Sequence, residues 1–259
     1  MSLNFCFIGA GNLATHLAES FKKNGFNILQ IYSRTEKSAK TLAETLNSVY
    51  TTEAKEITQK ADVYFIALKD SAFDEVLSKI NLENKILVHC SGSLPISILE
   101  KYSPKTGVLY PLQTFSKQRE VDFRKIPVFV EACSTEVEDI LVKLAGKISD
   151  SVTILDSGKR KYLHIAAVFA CNFVNHFYTL AAEVLKQESI PFDVLKPLIL
   201  ETALKVQEME PEKAQTGPAV RFDENIISAH LKEIKDLKHY AELYNSISKS
   251  IFDHHQKLK

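Results

Sequence analysis

Six residues near the start of the chain leave little freedom in how it can fold. Gly9-Ala10-Gly11-Asn12-Leu13-Ala14 come directly after LNFCFI, residues 3–8, a short apolar run of β-favouring residues. Leu13, Leu17 and Phe21, with Ala14 and Ala18, then recur at helical spacing until Asn24-Gly25 stops the pattern, and Phe26 to Tyr32 reads as a second strand. Strand, tight turn, helix, strand is one βαβ unit of about 30 residues. Such a unit needs a crossover connection and parallel pairing, so it commits the rest of its domain to a sheet covered by helices on both faces.

The alternation continues as that commitment requires. Glu36 to Leu46 reads as a helix, Ala61 to Leu68 as a buried strand, Ser71 to Ile80 as a helix and Lys85 to Cys90 as a strand. Gly107 to Tyr110, Pro127 to Glu131 and Val152 to Leu155 are further strands, with Thr135 to Ile148 the intervening helix. The expected fold class is α/β, a Rossmann-like, mostly parallel sheet, with any ligand in the crevice at the carboxyl ends of the strands. After Asp156-Ser157-Gly158 only helical signals remain: a long helix, a break at Ile190-Pro191, a helix to about Glu208, a loop holding Pro211 and Gly217-Pro218, and two closing helices. The chain therefore divides into a dinucleotide-binding domain over 1–157 and an all-α domain over 158–259.

Composition narrows the partners. With 259 residues, 45% hydrophobic and 25% charged, the chain is globular rather than disordered, and its length suits two modest domains. Lys plus Arg number 32 against 32 Asp plus Glu, so no overall basic field exists to hold nucleic acid or an anionic membrane. A small neutral or zwitterionic molecule fits better. The four cysteines, Cys6, Cys90, Cys133 and Cys171, form no CxxC pair and no zinc spacing; they read as reduced thiols, no metal site is expected, and the His254-His255 pair reads as exposed side chains. The N-terminus lacks a signal peptide's basic region and cleavage site, which makes cytoplasmic location the expectation. Tyr162 to Leu185 carries one formal charge, Glu183, over a length that could span a bilayer, but His164, Asn172, Asn175 and His176 interrupt it and no basic flank stands on its far side. A buried helix is expected there, not a membrane span.

The glycine turn carries the first chemistry. Gly9-x-Gly11-x-x-Ala14 is the dinucleotide fingerprint in its Ala-ending form: the first glycine permits the tight turn, the second lets backbone approach a pyrophosphate, and the third small residue lets helix and strand pack closely. The amides of Asn12 and Leu13 open the helix whose N-terminus faces the phosphates. After the second strand stand Ser33-Arg34-Thr35, where an NAD enzyme would usually show an acidic residue for the ribose. Two hydroxyls beside a guanidinium suit a 2′-phosphate, so NADP is expected ahead of NAD. Ala67, Leu68 and Lys69 follow a strand and should pass near the cofactor's ribose and nicotinamide.

The remaining candidates are weaker by residue type alone. In His89-Cys90-Ser91-Gly92-Ser93, the Ser91 hydroxyl or a glycine amide could reach the substrate, whereas Cys90 reads as a packing residue with no base placed beside it. Tyr110 to Phe115 is either a crevice wall or a plain connection. On the long helix Cys171, Asn172, Asn175 and His176 come 7, 8, 11 and 12 positions after His164, which at 100° per residue sets them on one side. That stripe is either catalytic, with His164 a proton donor and Asn172 an orienting amide, or a hydrogen-bonded seam at an interface. Arg221, after the Gly217-Pro218 turn, either clamps an anionic substrate or caps a helix.

Taken together, GAGNLA at 9–14, SGS at 91–93, YPLQTF at 110–115, KRKYLHIAAVFACNF at 159–173 and TGPAVRFD at 216–223, with His230 behind it, resemble a family of bacterial two-domain oxidoreductases. The resemblance covers nearly the whole chain and implies a Rossmann-like NADP-binding domain, a C-terminal helical domain of otherwise unassigned function, and a homodimer built through the C-terminal helices. The wider group is similar to pyrroline-5-carboxylate reductases, β-hydroxyacid and 6-phosphogluconate dehydrogenases, and deazaflavin-dependent NADP reductases. One departure bears on mechanism. β-Hydroxyacid dehydrogenases carry a lysine four residues before an asparagine on the first helix of the second domain; with Asn172 as that asparagine, the lysine position holds Val168. The expected function is hydride transfer between NADP and a small carbonyl, hydroxy acid or imine. The alternative is a non-catalytic dimeric NADP-binding sensor or scaffold.

Overall fold

The computed structural model describes residues 3–258, and the chain separates into two compact units, one ending at Cys171 and the other beginning at Asn172. Among the described residues of the first unit, eight strands form one sheet: β1 (Asn4–Ile8), β2 (Asn27–Tyr32), β3 (Val49–Thr51), β4 (Val63–Ile66), β5 (Ile86–His89), β6 (Thr106–Pro111), β7 (Val128–Ala132) and β8 (Val152–Ile154). Their spatial order is β3-β2-β1-β4-β5-β6-β7-β8, with every pairing parallel except β6 with β7. The helices of this unit are α1 (Asn12–Lys23), α2 (Glu36–Leu46), α3 (Phe73–Leu77), α4 (Thr135–Ile148) and α5 (Ser157–Ala167). The α/β, Rossmann-like reading is correct.

The sheet forms because its central strands are apolar on both faces. In β1, Phe5 and Phe7 point to one side and Cys6 and Ile8 to the other, and all four are fully buried. Phe5 meets Phe21 of α1 edge-on at 5.0 Å and Phe7 stacks on Phe65 of β4 at 4.9 Å. On the opposite face Cys6 and Ile8 join Tyr64, Ile66 and Leu87. The strand order reverses at β1, which pairs with β2 on one side and β4 on the other. That reversal is the topological switch point, and the residues after β1, β2, β4 and β5 all open at its carboxyl end.

Three local expectations change. The edge strand β3 has no counterpart in the sequence pattern because it is three residues long and its Val49 is 63% exposed, which leaves no alternation to detect. The helix expected over 71–80 is a 3-10 turn, Asp70–Ala72, and then the five-residue α3; the Ser78 hydroxyl donates to the Asp74 carbonyl at 2.6 Å where the helix ends. The stretch from Ser157 to Gln187 is one helix, but Val168–Phe173 within it is π-helical. Its i→i+5 turn is wider than an α-helical one, so an even 100° spacing does not run through it.

The second unit holds α6 (Val174–Gln187), α7 (Lys196–Glu208), α8 (Pro211–Ala214), α9 (Glu224–Glu233) and α10 (Lys238–Lys257). Ser189, with φ 57°, and Pro191 make the break after α6. The turn Pro218–Arg221 packs on α10, with Phe222 and Phe252 rings 5.1 Å apart, and Asp223 caps α9 by accepting from the Ile226 amide. His254 pairs with Glu212 at 3.1 Å. The expectation of a buried long helix is corrected: no residue of Val168–Gln187 is buried, and Ser157–Gln187 is long and apolar enough, by length and composition, to cross a membrane. The sequence places the domain boundary at 157/158; α5 belongs with the first unit because Arg160, near its start, is anchored in the sheet.

Candidate functional site

The glycine turn adopts the geometry its spacing requires. Gly9 has φ 123°, and a Cβ there would lie 2.3 Å from the Ala67 carbonyl oxygen, so only glycine fits between β1 and β4. A Cβ on Gly11 would meet nothing within 4 Å, which leaves the backbone open to an incoming group. Ala14 is fully buried against the sheet. Gly11 caps α1 without a side-chain hydrogen bond, and the first turn holds no acidic residue, so the leading amides of Asn12 and Leu13 retain their positive end for an anion. The Asn12 side chain is committed elsewhere: its amide donates to the Phe115 carbonyl at 2.9 Å.

Beyond β2, the Ser33 amide donates to Thr51 and the Thr35 amide to the Ser33 hydroxyl at 3.3 Å, folding Ser33-Arg34-Thr35 into a short turn ahead of α2. The Arg34 guanidinium is more than half exposed and reaches Glu75 at 3.3 Å. After β4, the Ala67 amide donates to the Ile8 carbonyl at 2.9 Å, Leu68 is half-buried and Lys69 is exposed. These residues offer mainly backbone at the switch point.

At the end of β5, Ser91 accepts from the Ser93 and Leu94 amides at 3.2 Å each, and the Ser93 hydroxyl donates to Asp70 at 3.0 Å. His89 is fully buried, its Nδ1 accepting from the Ser91 amide at 3.2 Å; burial and the nearby Arg160 charge depress its pKa to about 3, so the ring is neutral. Cys90 is buried, which pushes its thiol up to about 12 and removes it as a nucleophile. Gly92 is required for another reason. A Cβ there would come within 2.6 Å of His164 Nδ1 and 2.8 Å of the Tyr110 ring. Those two side chains converge above it, Tyr110 Oη and His164 Nδ1 lying 3.0 Å apart.

The pair is assembled from two elements. Tyr110 is next to last in β6 and is 8% exposed, and burial raises its pKa, so the phenol stays protonated. His164 lies one turn after Arg160 on α5, and the four-residue spacing sets both on one helix face. Arg160 is 1% exposed: its guanidinium pairs with Glu131 of β7, donates to the Leu94 carbonyl at 2.5 Å and contacts the Ser157 hydroxyl at 3.2 Å. Ser157 donates to Glu131 at 2.7 Å and accepts from the Ile96 amide at 3.1 Å. The first turn of α5 is thus locked to the sheet.

The first unit therefore brings together Gly9, Gly11, Asn12, Leu13, Ala67, Leu68, Ser91 and His164 along the ends of its strands, with Arg34 at the β2 end. Asn172 and Arg221 fall in the second unit, both exposed. Sequence reasoning alone misses Tyr110 as the partner of His164, the Asp70 carboxylate beside Ser91 and Ser93, and the Arg160–Glu131 anchor. Only the Arg160/His164 spacing carries a signal. Among the described residues no group of three or more His, Cys, Asp or Glu side chains is placed to hold a metal ion.

Comparison with known proteins finds two family matches, the second of which begins within the first unit. Residues 4–92 match the family described as NADP oxidoreductase, coenzyme F420-dependent, and residues 126–251 match a domain of unknown function, DUF2520. A candidate NADP oxidoreductase of known structure from Bacteroides fragilis is 50% identical, covers 97% of this chain and 98% of its own, and superposes with a TM-score of 0.94. A Thermotoga maritima protein is 25% identical over 97% of this chain and 99% of its own, with a TM-score of 0.81. An imine reductase from Myxococcus stipitatus in complex with NADP+ shares the fold at 14% identity, 98% and 93% coverage and a TM-score of 0.67. No curated protein matches the chain.

Proposed function

Because the chain belongs to the family of NADP oxidoreductases that join an NADP-binding domain to a C-terminal DUF2520 domain, we propose that it is an NADPH-dependent reductase or dehydrogenase of a small carbonyl, hydroxy acid or imine. The residues fit the cofactor. Gly9 and Gly11 give a turn that backbone alone can line, the uncapped α1 terminus attracts the pyrophosphate through the Asn12 and Leu13 amides, and Ser33, Arg34 and Thr35 take the 2′-phosphate. Ala67, Leu68 and Lys69 border the ribose and nicotinamide. Bound NADPH supplies the hydride.

The observation that carries the reading is the Tyr110–His164 pair over Gly92. As an imidazolium, His164 donates its Nε2 proton to the substrate oxygen or nitrogen that gains charge when hydride adds to carbon. The neutral ring that remains keeps Nδ1–H for the Tyr110 oxygen, and the oxidative direction reverses both transfers. Tyr110, protonated throughout, holds the ring's orientation. Ser91 binds the substrate's polar end, while Asn172 as an orienting amide and Arg221 as an anion binder complete the proposal on the strength of their residue types.

Val168, standing where β-hydroxyacid dehydrogenases carry lysine, favours a second reading in which the protein binds NADP without redox turnover, as a sensor or scaffold. We also propose that a second copy of the chain covers the helical unit. Leu198, Leu200 and Leu204 of α7 are 61%, 60% and 50% exposed. A cavity of about 360 Å³ within the unit is lined by Phe177, Leu180, Val184, Leu243 and Ile247.

Nicotinamide fluorescence provides the test, since the chain has no Trp to interfere. Tight NADPH binding, weaker NADH binding and loss of that preference in Arg34→Ala are expected. A panel of keto acids, semialdehydes and cyclic imines should then contain one compound that oxidises NADPH, with His164→Ala cutting turnover by about 10²-fold or more at unchanged NADPH affinity. Binding without turnover on the whole panel would favour the sensor. Absence of dinucleotide binding would end both readings.

A further inference from the structure

The segment after β6 does more than connect. Gln113 to Lys117 passes over the start of α1 and is held there at three points: Asn12 Nδ2 donates to the Phe115 carbonyl at 2.9 Å, His16 Nε2 to the Ser116 carbonyl at 2.9 Å, and Lys117 Nζ to the Ala10 carbonyl at 2.8 Å. Asn12 and His16 are one turn apart on α1, and the Phe115 ring stacks on His16 at 5.3 Å. The residue that arrives at the glycine turn by this route is a lysine, more than 100 positions away in sequence.

Its charge is unbalanced. Among the described residues no carboxylate lies within 4.0 Å of the Lys117 ammonium, and the first turn of α1 contains no acidic residue. A full positive charge and the positive end of α1 are therefore gathered at the same turn, where each disfavours the other until an anion arrives. A lysine needed only to tie the strap down would not require its charge, since any long donor reaches the Ala10 carbonyl equally well.

We propose that Lys117 is a pyrophosphate-binding residue of the dinucleotide site, delivered by the strap that Asn12 and His16 hold. This rests on the reading of Gly9 to Leu13 as a dinucleotide turn and adds to it a cation from outside the fingerprint. The ammonium supplies a mobile point charge, and the α1 amides supply fixed donors.

The test is binding, without substrate. Calorimetric titrations of NADPH, NADH and ADP-ribose with Lys117→Met should show all three weakened by about tenfold at low salt, because all three carry the pyrophosphate. Adenosine 2′-monophosphate, which lacks it, should be unaffected. The fall of affinity with rising salt should also be shallower in the variant. Lys117→Arg should restore affinity, whereas Lys117→Gln, which keeps a donor for the Ala10 carbonyl but no charge, should behave as Lys117→Met while melting like the unmodified protein. Unaltered affinity and salt dependence in Lys117→Gln would overturn the inference while leaving the dinucleotide reading intact. Failure of the unmodified protein to bind any of the dinucleotides would overturn both.

Discussion

Replacing Arg160 with Met should be among the most damaging single changes available to the first unit. The guanidinium is 1% exposed and its carboxylate partner Glu131 only 15%, so removing the cation strands a largely desolvated charge whose remaining side-chain donor is the Ser157 hydroxyl. Breaking a buried pair from one side costs about 3–5 kcal/mol. For the unit ending at Cys171, an unfolding entropy of about 2.1 cal/mol/K per residue gives roughly 0.36 kcal/mol/K, so the melting temperature should fall by about 8–14 °C. Glu131→Leu should do comparable harm by leaving the cation unpaired. The double variant should recover most of the loss, because exchanging both charges for apolar side chains is often nearly neutral. Calorimetric or circular-dichroism melts of the four proteins close the cycle. A drop of less than about 3 °C in Arg160→Met, or a double variant that melts below both singles, would refute the argument.

Other parts of the chain give two further outcomes. His89 has a folded pKa of about 3 against an ordinary 6.5, so the unfolded state binds more protons between those values; the stabilisation is complete above 6.5 and is lost as pH falls toward 3. Unfolding free energy should drop by about 2 kcal/mol from pH 7 to pH 5 on this group's account, and His89→Gln should flatten that slope; an unchanged slope would show the ring is not the origin. The proposal that a second copy covers the exposed leucines of α7 predicts a dimer at sedimentation equilibrium and a smaller species for Leu200→Glu. A monomer at every concentration would remove that part of the proposal.

Most of the fold is legible because it is written in local patterns. Phe5 and Phe7 against Cys6 and Ile8 read as a strand buried on both faces, and the glycine spacing fixes where the chain turns. The elements that escape are short or lack contrast. Val49–Thr51 is an edge strand with too few residues to alternate, and the π turn at Val168–Phe173 has no composition that separates it from α-helix. The long apolar helix misleads for a physical reason: hydropathy reports an apolar surface, but says nothing of whether this chain itself buries it. Its exposure within one chain answers a question that periodicity cannot pose.

The candidate site shows the same limit from the other side. Gly9, Arg34, Ala67 and Ser91 can be named in advance because each lies just past the end of a strand, and topology alone sends the ends of parallel strands to one crevice. Tyr110 also lies near the end of a strand, yet its place in the site depends on which side chain α5 brings to it, and that is decided by a tertiary contact. The Arg160–Glu131 pair locks the first turn of α5 to β7, and the helix then carries His164 one turn onward to the phenol. Gly92 leaves the space they occupy, because any Cβ there would displace both rings. Three residues of ordinary appearance thus specify the pair jointly: one anchors, one vacates and one receives. His164 can be named from its place on the long helix, and its spacing of four from Arg160 is legible, but Tyr110 and Gly92, 54 and 72 positions from it, join it only once the chain is folded.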